Sequence, residues 1–177
     1  ENSFVESQIG LVGISNLLRL NRNTYLKTSV GLSTNFNDFR QDNRVRNEAG
    51  DIIQEFRATN VRNREIRTTI SSTLNHKFNA RWSLRAGILS EIYDVNFFTE
   101  DRDDRVDIPD NNNDNIPDFF RTGTDIDDQY TLHQGFAQAE YKFTDDLSAT
   151  FGLHSQYMAL SENLSLEPRA ALSWQFQ

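Results

Sequence analysis

Between Arg67 and Tyr93 the chain alternates for longer than most folds allow. Ile70, Ser72, Leu74, His76 and Phe78 form one set, and Arg67, Thr69, Ser71, Thr73, Asn75 and Lys77 fall between them. After Asn79-Ala80-Arg81 the pattern resumes, with Trp82, Leu84, Ala86 and Ile88 set against Ser83, Arg85, Gly87 and Glu91. Successive side chains on a strand point to opposite faces, so this is the pattern of two β-strands. The polar break predicts an antiparallel hairpin with a tight loop. Each arm can be drawn for about a dozen residues, whereas strands of soluble proteins are mostly about five or six.

The two faces differ in kind. One carries Arg67, Asn75, Lys77, Arg85 and Glu91, long groups that want water. The other is thin in bulky core residues and places Phe78 and Trp82 on either side of the turn. A soluble sandwich would show the same alternation with more Val, Ile and Leu. Aromatic strand ends, a modest apolar band and a polar opposite face suit a barrel wall with lipid outside and water inside.

Composition permits this. The chain has 177 residues, of which 37% are hydrophobic, and its mean hydropathy is -0.65. No run approaches the roughly 18 apolar residues of a spanning helix, but barrel strands are half polar by construction. There is no cysteine, which suits a cell envelope but equally a soluble bacterial protein. The chain opens on Glu1 and closes within an apparent strand, as an internal piece would. Its net charge of -8 is concentrated: Glu100 to Asp128 holds eleven acidic and three basic residues, leaving fifteen of each sign elsewhere. No basic stripe with interleaved aromatics points to nucleic acid.

In chain order, Glu6 to Leu20 predicts a first strand, Asn21-Arg22-Asn23 a turn and Thr24 to Asn37 a second strand. A long polar loop from Asp38 to Arg64 comes next, with a turn signal at Glu48-Ala49-Gly50-Asp51. The central hairpin is followed by an acidic outer loop over 99–128. Strands over Tyr130–Phe143 and Leu147–Tyr157 flank a turn at Thr144-Asp145-Asp146. A polar loop, Met158 to Glu167, leads to a last strand, Arg169–Phe176. Seven strands with short turns on one side and long loops on the other make an all-β, antiparallel up-and-down transmembrane β-barrel, in part; structureless loops this long are uncommon in soluble domains. The aromatics sort into two belts: Phe78, Trp82, Phe143 and Phe176 by short turns, and Phe36, Tyr93, Phe97, Phe98 and Tyr157 toward long loops.

Several stretches resemble one family. Leu18 to Leu20 followed by Asn-Arg-Asn-Thr-Tyr-Leu-Lys-Thr-Ser (21–29), Leu-Asn-His-Lys-Phe-Asn-Ala-Arg (74–81) and Ala-Gln-Ala-Glu-Tyr-Lys-Phe-Thr-Asp-Asp-Leu (137–147) are similar to barrel sequence of TonB-dependent outer-membrane receptors of Bacteroidetes type. Gly-Leu-His-Ser-Gln-Tyr (152–157) and Leu-Glu-Pro-Arg-Ala-Ala-Leu (166–172) extend the likeness. It spans most of the chain but rests on degenerate strand patterns, with no catalytic signature. The resemblance implies a plugged barrel of roughly 22 strands in the outer membrane of a Gram-negative bacterium. Such a receptor takes up a bulky ligand with energy delivered through TonB. Outer-membrane lipid, TonB, a plug domain and the transported ligand are its implied partners, and a surface lipoprotein capping the barrel is one more. Neither plug nor TonB box is in this sequence, so the resemblance implies a slice of barrel wall over 1–177. Two rivals stay open: a small self-contained barrel with a structural or adhesive role, and a secreted calcium-dependent β-sandwich that binds glycans or protein.

The sharpest local motif is Asp110-Asn111-Asn112-Asn113-Asp114-Asn115-Ile116-Pro117-Asp118. Oxygen side chains at Asp110, Asn112 and Asp114, a backbone carbonyl at Ile116 and a carboxylate at Asp118 match the start of a calcium loop. Arg121 stands where the closing Glu belongs, and a solvated acidic loop is the plainer reading. Arg85, Glu91, Glu140 and Lys142 are candidate lumen-facing residues that would meet a ligand or plug; their plainer role is cross-strand charge pairing. His76, His133 and His154 read as wall residues. Arg40, Arg44, Arg46, Arg57, Arg62 and Arg64 in the first long loop are candidates to pair with the acidic loop. With no nucleophile elbow or phosphate loop, the sequence points to no enzyme and to no cofactor besides calcium.

Overall fold

Alternation is carried through into seven antiparallel strands of a single sheet, in the computed structural model, which describes residues 1–102 and 119–176. The strands are β1 (Asn2–Asn21), β2 (Thr24–Arg46), β3 (Ile52–Lys77), β4 (Trp82–Arg102), β5 (Phe120–Lys142), β6 (Leu147–Met158) and β7 (Asn163–Trp174). Their order in the sheet is their order in the chain, an up-and-down meander. Among the described residues there is one sheet and not the two that a sandwich requires.

Much of the length expected in loops is strand. The polar segment read as a loop over Asp38–Arg64 is the end of β2, a tight turn at Asn47–Asp51 and the start of β3. Asn47 closes that turn by accepting from the Asp51 amide at 2.8 Å, and Gly50 sits at φ 91°. The acidic stretch is likewise strand over Glu100–Arg102 and Phe120–Asp128. The last loop shrinks, because β7 begins at Asn163 and not at Arg169. Strands without an apolar face lose the alternation by which sequence reveals them, although their backbone ladders are intact.

Contacts divide the chain into two units. The first comprises Glu1–Gly10, Thr34–Ile66 and Asp94–Asp128, and the second Leu11–Ser33, Arg67–Tyr93 and Gln129–Gln177. The strand pieces of the second unit, 11–21, 24–33, 67–77, 82–93, 129–142, 147–158 and 163–174, have about ten to fourteen residues each. A strand crossing a bilayer at a tilt needs about 9–11.

Within the second unit three of the short turns, those after β1, β3 and β5, are built alike. Asn21 Oδ1 accepts from the Asn23 amide, Asn79 Oδ1 from those of Arg81 and Trp82, and Thr144 Oγ1 from those of Asp146 and Leu147. Such side-chain acceptors replace backbone partners and fix the reversal. Neighbouring turns are tied by Lys77 N to Asn23 O at 2.8 Å, Lys142 N to Arg81 O at 2.9 Å and Gln175 N to Asp146 O at 2.9 Å.

Register then sorts the side chains. On one face of β6 and β7, Leu147 lies opposite Trp174, Ala149 opposite Leu172, Phe151 opposite Ala170 and Leu153 opposite Pro168. On the other face Thr150 meets Ala171, Gly152 meets Arg169, His154 meets Glu167 and Gln156 meets Ser165. The apolar face also gathers rings beside the short turns, with Trp82 and Tyr141 4.7 Å apart, Tyr141 and Phe143 4.8 Å, and Trp174 and Phe176 4.6 Å. Three of these, Trp82, Phe143 and Phe176, were legible as a belt together with Phe78; Tyr141 and Trp174 join them.

Candidate functional site

The apolar face covers no core. Ala149 is the sole buried hydrophobic residue among those described, and no large side chain is fully buried. Ile88 is 67% exposed, Phe151 58%, Leu172 70% and Trp174 62%. Apolar area of that extent left in water costs roughly 25 cal/mol per Å², and monomeric soluble proteins rarely present it as a contiguous patch. The opposite face is where chemistry toward a polar ligand can be built.

On that face Arg85 and Glu140 line a groove of about 310 Å³ with Asn75, Lys77, Ser83, Gln138 and Thr150. Ser83 Oγ donates to Glu140 Oε2 at 3.4 Å. The Arg85 guanidinium stands over the Phe136 ring, 5.6 Å from its centre, a contact worth about 0.5–1 kcal/mol where water reaches it. Phe136 lies across Gly87, where an added Cβ would meet its Cε1 at 2.7 Å. The fourth strand thus gives up a side chain where an aromatic from β5 lies between Gly87 and Arg85. Lys142 is on the same face of β5, in register with Ser148, as Glu140 is with Thr150.

Glu91 belongs to a second group. Arg67 Nη1 approaches its Oε1 at 3.7 Å, and the Tyr93 hydroxyl donates to its Oε2 at 3.2 Å. Arg67 also donates from Nε to Ser33 Oγ at 3.3 Å and lies over the Tyr93 ring. Tyr93 stacks on Tyr130 with ring centres 4.7 Å apart and planes 9° from parallel, about 0.5–1.5 kcal/mol beyond area burial. Tyr93 therefore leaves the belt in which its sequence position placed it: its hydroxyl and ring serve the polar face. The expected charge pairing holds for Glu91, although with Arg67; the partners of Arg85 and Glu140 are a ring and a hydroxyl. Sequence reasoning passed over Phe136, an aromatic within an otherwise polar set, and that exception was its signal.

The three histidines are wall residues. His76 Nδ1 is 2.7 Å from Thr24 Oγ1, and His133 Nδ1 is 2.9 Å from Ser90 Oγ. His154 lies 3.4 Å from Gln134 and 3.7 Å from Glu167, a carboxylate close in space that sequence spacing did not reveal. Glu167 is also paired with Arg169 at 2.8 Å. His154, Arg169, Arg85 and Phe136 line a further groove of about 420 Å³.

The calcium residues Asp110, Asn112, Asp114, Ile116 and Asp118 lie outside the described residues. Among those described, no three of His, Cys, Asp and Glu are placed to hold a metal. Three arginines of β2 find nearby partners: Arg40 pairs with Asp42 at 3.0 Å, Arg44 with Glu55 at 3.1 Å, and Arg46 donates to Gly50 O.

A sheet of long antiparallel strands, apolar and exposed on one face and polar on the other, is the wall of a membrane β-barrel. Compared with known protein families, residues 4–177 match the one described as TonB dependent receptor-like, beta-barrel. The chain belongs to that family. No curated protein and no solved structure matches it.

Proposed function

We propose that this chain is part of the barrel wall of a TonB-dependent receptor that carries a bulky ligand across the outer membrane of a Gram-negative bacterium. Membership of the family supports this reading. The observation that carries it is the second unit's exposed apolar face, backed by a polar face and underlain by no core. Lipid would cover the first. The second would face the lumen, where Arg85, Glu91, Glu140 and Lys142 meet a plug domain or the ligand. TonB acts through the plug, and this wall supplies passage and contacts.

Fractionation of native membranes by density tests this. The protein containing this chain is expected in the outer-membrane fraction, to need detergent and to shift on gels when heated. A soluble species of 20.5 kDa would contradict it. We also propose that Asp110, Asn112, Asp114, Ile116 and Asp118 hold calcium, supported by their alternate oxygen spacing. Calorimetric titration should then show calcium uptake that Asp110→Asn with Asp114→Asn abolishes; equal uptake by the variant would contradict this assignment.

A further inference from the structure

The first unit carries a set of contacts that the barrel reading does not use. Arg62 lies over the Phe98 ring at 4.6 Å and Arg64 over the Phe36 ring at 5.9 Å. Both arginines come from β3, and the rings come from its two neighbours in the sheet, β2 and β4. Arg62 and Arg64 are two residues apart, so they share a face of β3 with their Cα atoms roughly 6.6 Å apart. Both are exposed. Among the described residues neither has a carboxylate within 4.0 Å, in contrast to Arg40 and Arg44. Even Asp38, whose Oδ1 lacks a partner, does not engage them. Ile66 continues the same face and is 39% exposed.

Two exposed guanidiniums, each placed over a ring, are braced at their bases and remain open to an anion from solvent. Their spacing suits the two sides of one phosphate, an anion that planar guanidinium forks recognise well. An exposed isoleucine beside them favours a phosphate that belongs to an amphiphile. We propose that Arg62 and Arg64, braced on Phe98 and Phe36, hold the phosphate of an anionic lipid headgroup against the β3 face that carries Ile66. The inference rests on the membrane reading above.

The test uses the whole receptor, reconstituted into phosphatidylethanolamine vesicles alone, with phosphorylated lipid A, or with dephosphorylated lipid A. Lipid retained after re-extraction and gel filtration is measured by mass spectrometry. The wild type should retain the phosphorylated form roughly tenfold over the dephosphorylated one, consistent with two charge-assisted hydrogen bonds. Arg62→Gln with Arg64→Gln should erase that preference, and the corresponding Lys pair should restore part of it. Heat modifiability of each variant shows that the barrel is folded. A folded barrel with equal retention in wild type and Gln pair overturns this proposal alone. So does retention that millimolar inorganic phosphate abolishes, since the site would then serve the free anion. A receptor that never enters the membrane overturns both proposals.

Discussion

At Gly87 an added Cβ would stand 2.9 Å from the Ser72 carbonyl oxygen as well as 2.7 Å from Phe136. The ring can rotate away, but the backbone carbonyl cannot. Gly87→Ala should therefore destabilise the folded barrel by about 1–3 kcal/mol. At Gly10 the nearest obstacle is the Thr34 hydroxyl at 2.8 Å, the end of a side chain free to turn. Gly10→Ala should change stability by about 0.5 kcal/mol or less. Urea unfolding in detergent, followed by the fluorescence of Trp82 and Trp174, reads both. Equal losses at the two glycines would contradict the close approach of the Ser72 carbonyl to Gly87. Residues of this kind were the least legible in the sequence. Nothing in the spacing of Arg67, Glu91, Tyr93 and Tyr130 shows that the pairing of three strands brings them together, because the exact cross-strand register depends on turn geometry as well as on the apolar pattern.

Elements were more legible, and for a physical reason. Where a strand has two chemically different faces, its period of two is written in the side chains, and 67–93, 136–143 and 147–157 read correctly. Where neither face is continuously apolar the pattern dissolves, and 38–46 and 52–64 read as loop although they are strand. The turns were found because each needs an Asn, Thr or Gly of particular chemistry. Asn79→Ala would remove the acceptor of two backbone amides and should cost about 1 kcal/mol, lowering the temperature at which the heated form appears on gels. No shift there would contradict the role given to the turn. Neighbouring positions on opposite faces make a sharper comparison. Leu153→Arg should cost about 2–4 kcal/mol if that face lies deep in lipid, and Gln138→Arg close to nothing. Similar costs would remove the distinction between the faces.

For the whole molecule, one fact outweighs the rest: a sheet of seven strands buries a single hydrophobic residue among those described. A fold is stabilised by apolar surface taken away from water, so the surroundings must do what a core does elsewhere. The family match supplies the setting in which they do, and the sequence alone, through its alternation and its belts, had already favoured a barrel wall while leaving a β-sandwich open. The chain has no cysteine, so single cysteines can be placed along β6 and labelled with nitroxides without background. Collision with oxygen, which concentrates in lipid, and with a water-soluble nickel chelate then reports each site in the reconstituted receptor. Labels at 149, 151, 153 and 155 should favour oxygen, and labels at 150, 152, 154 and 156 the chelate, in strict alternation. Chelate access at every position, without a period of two, would contradict the account.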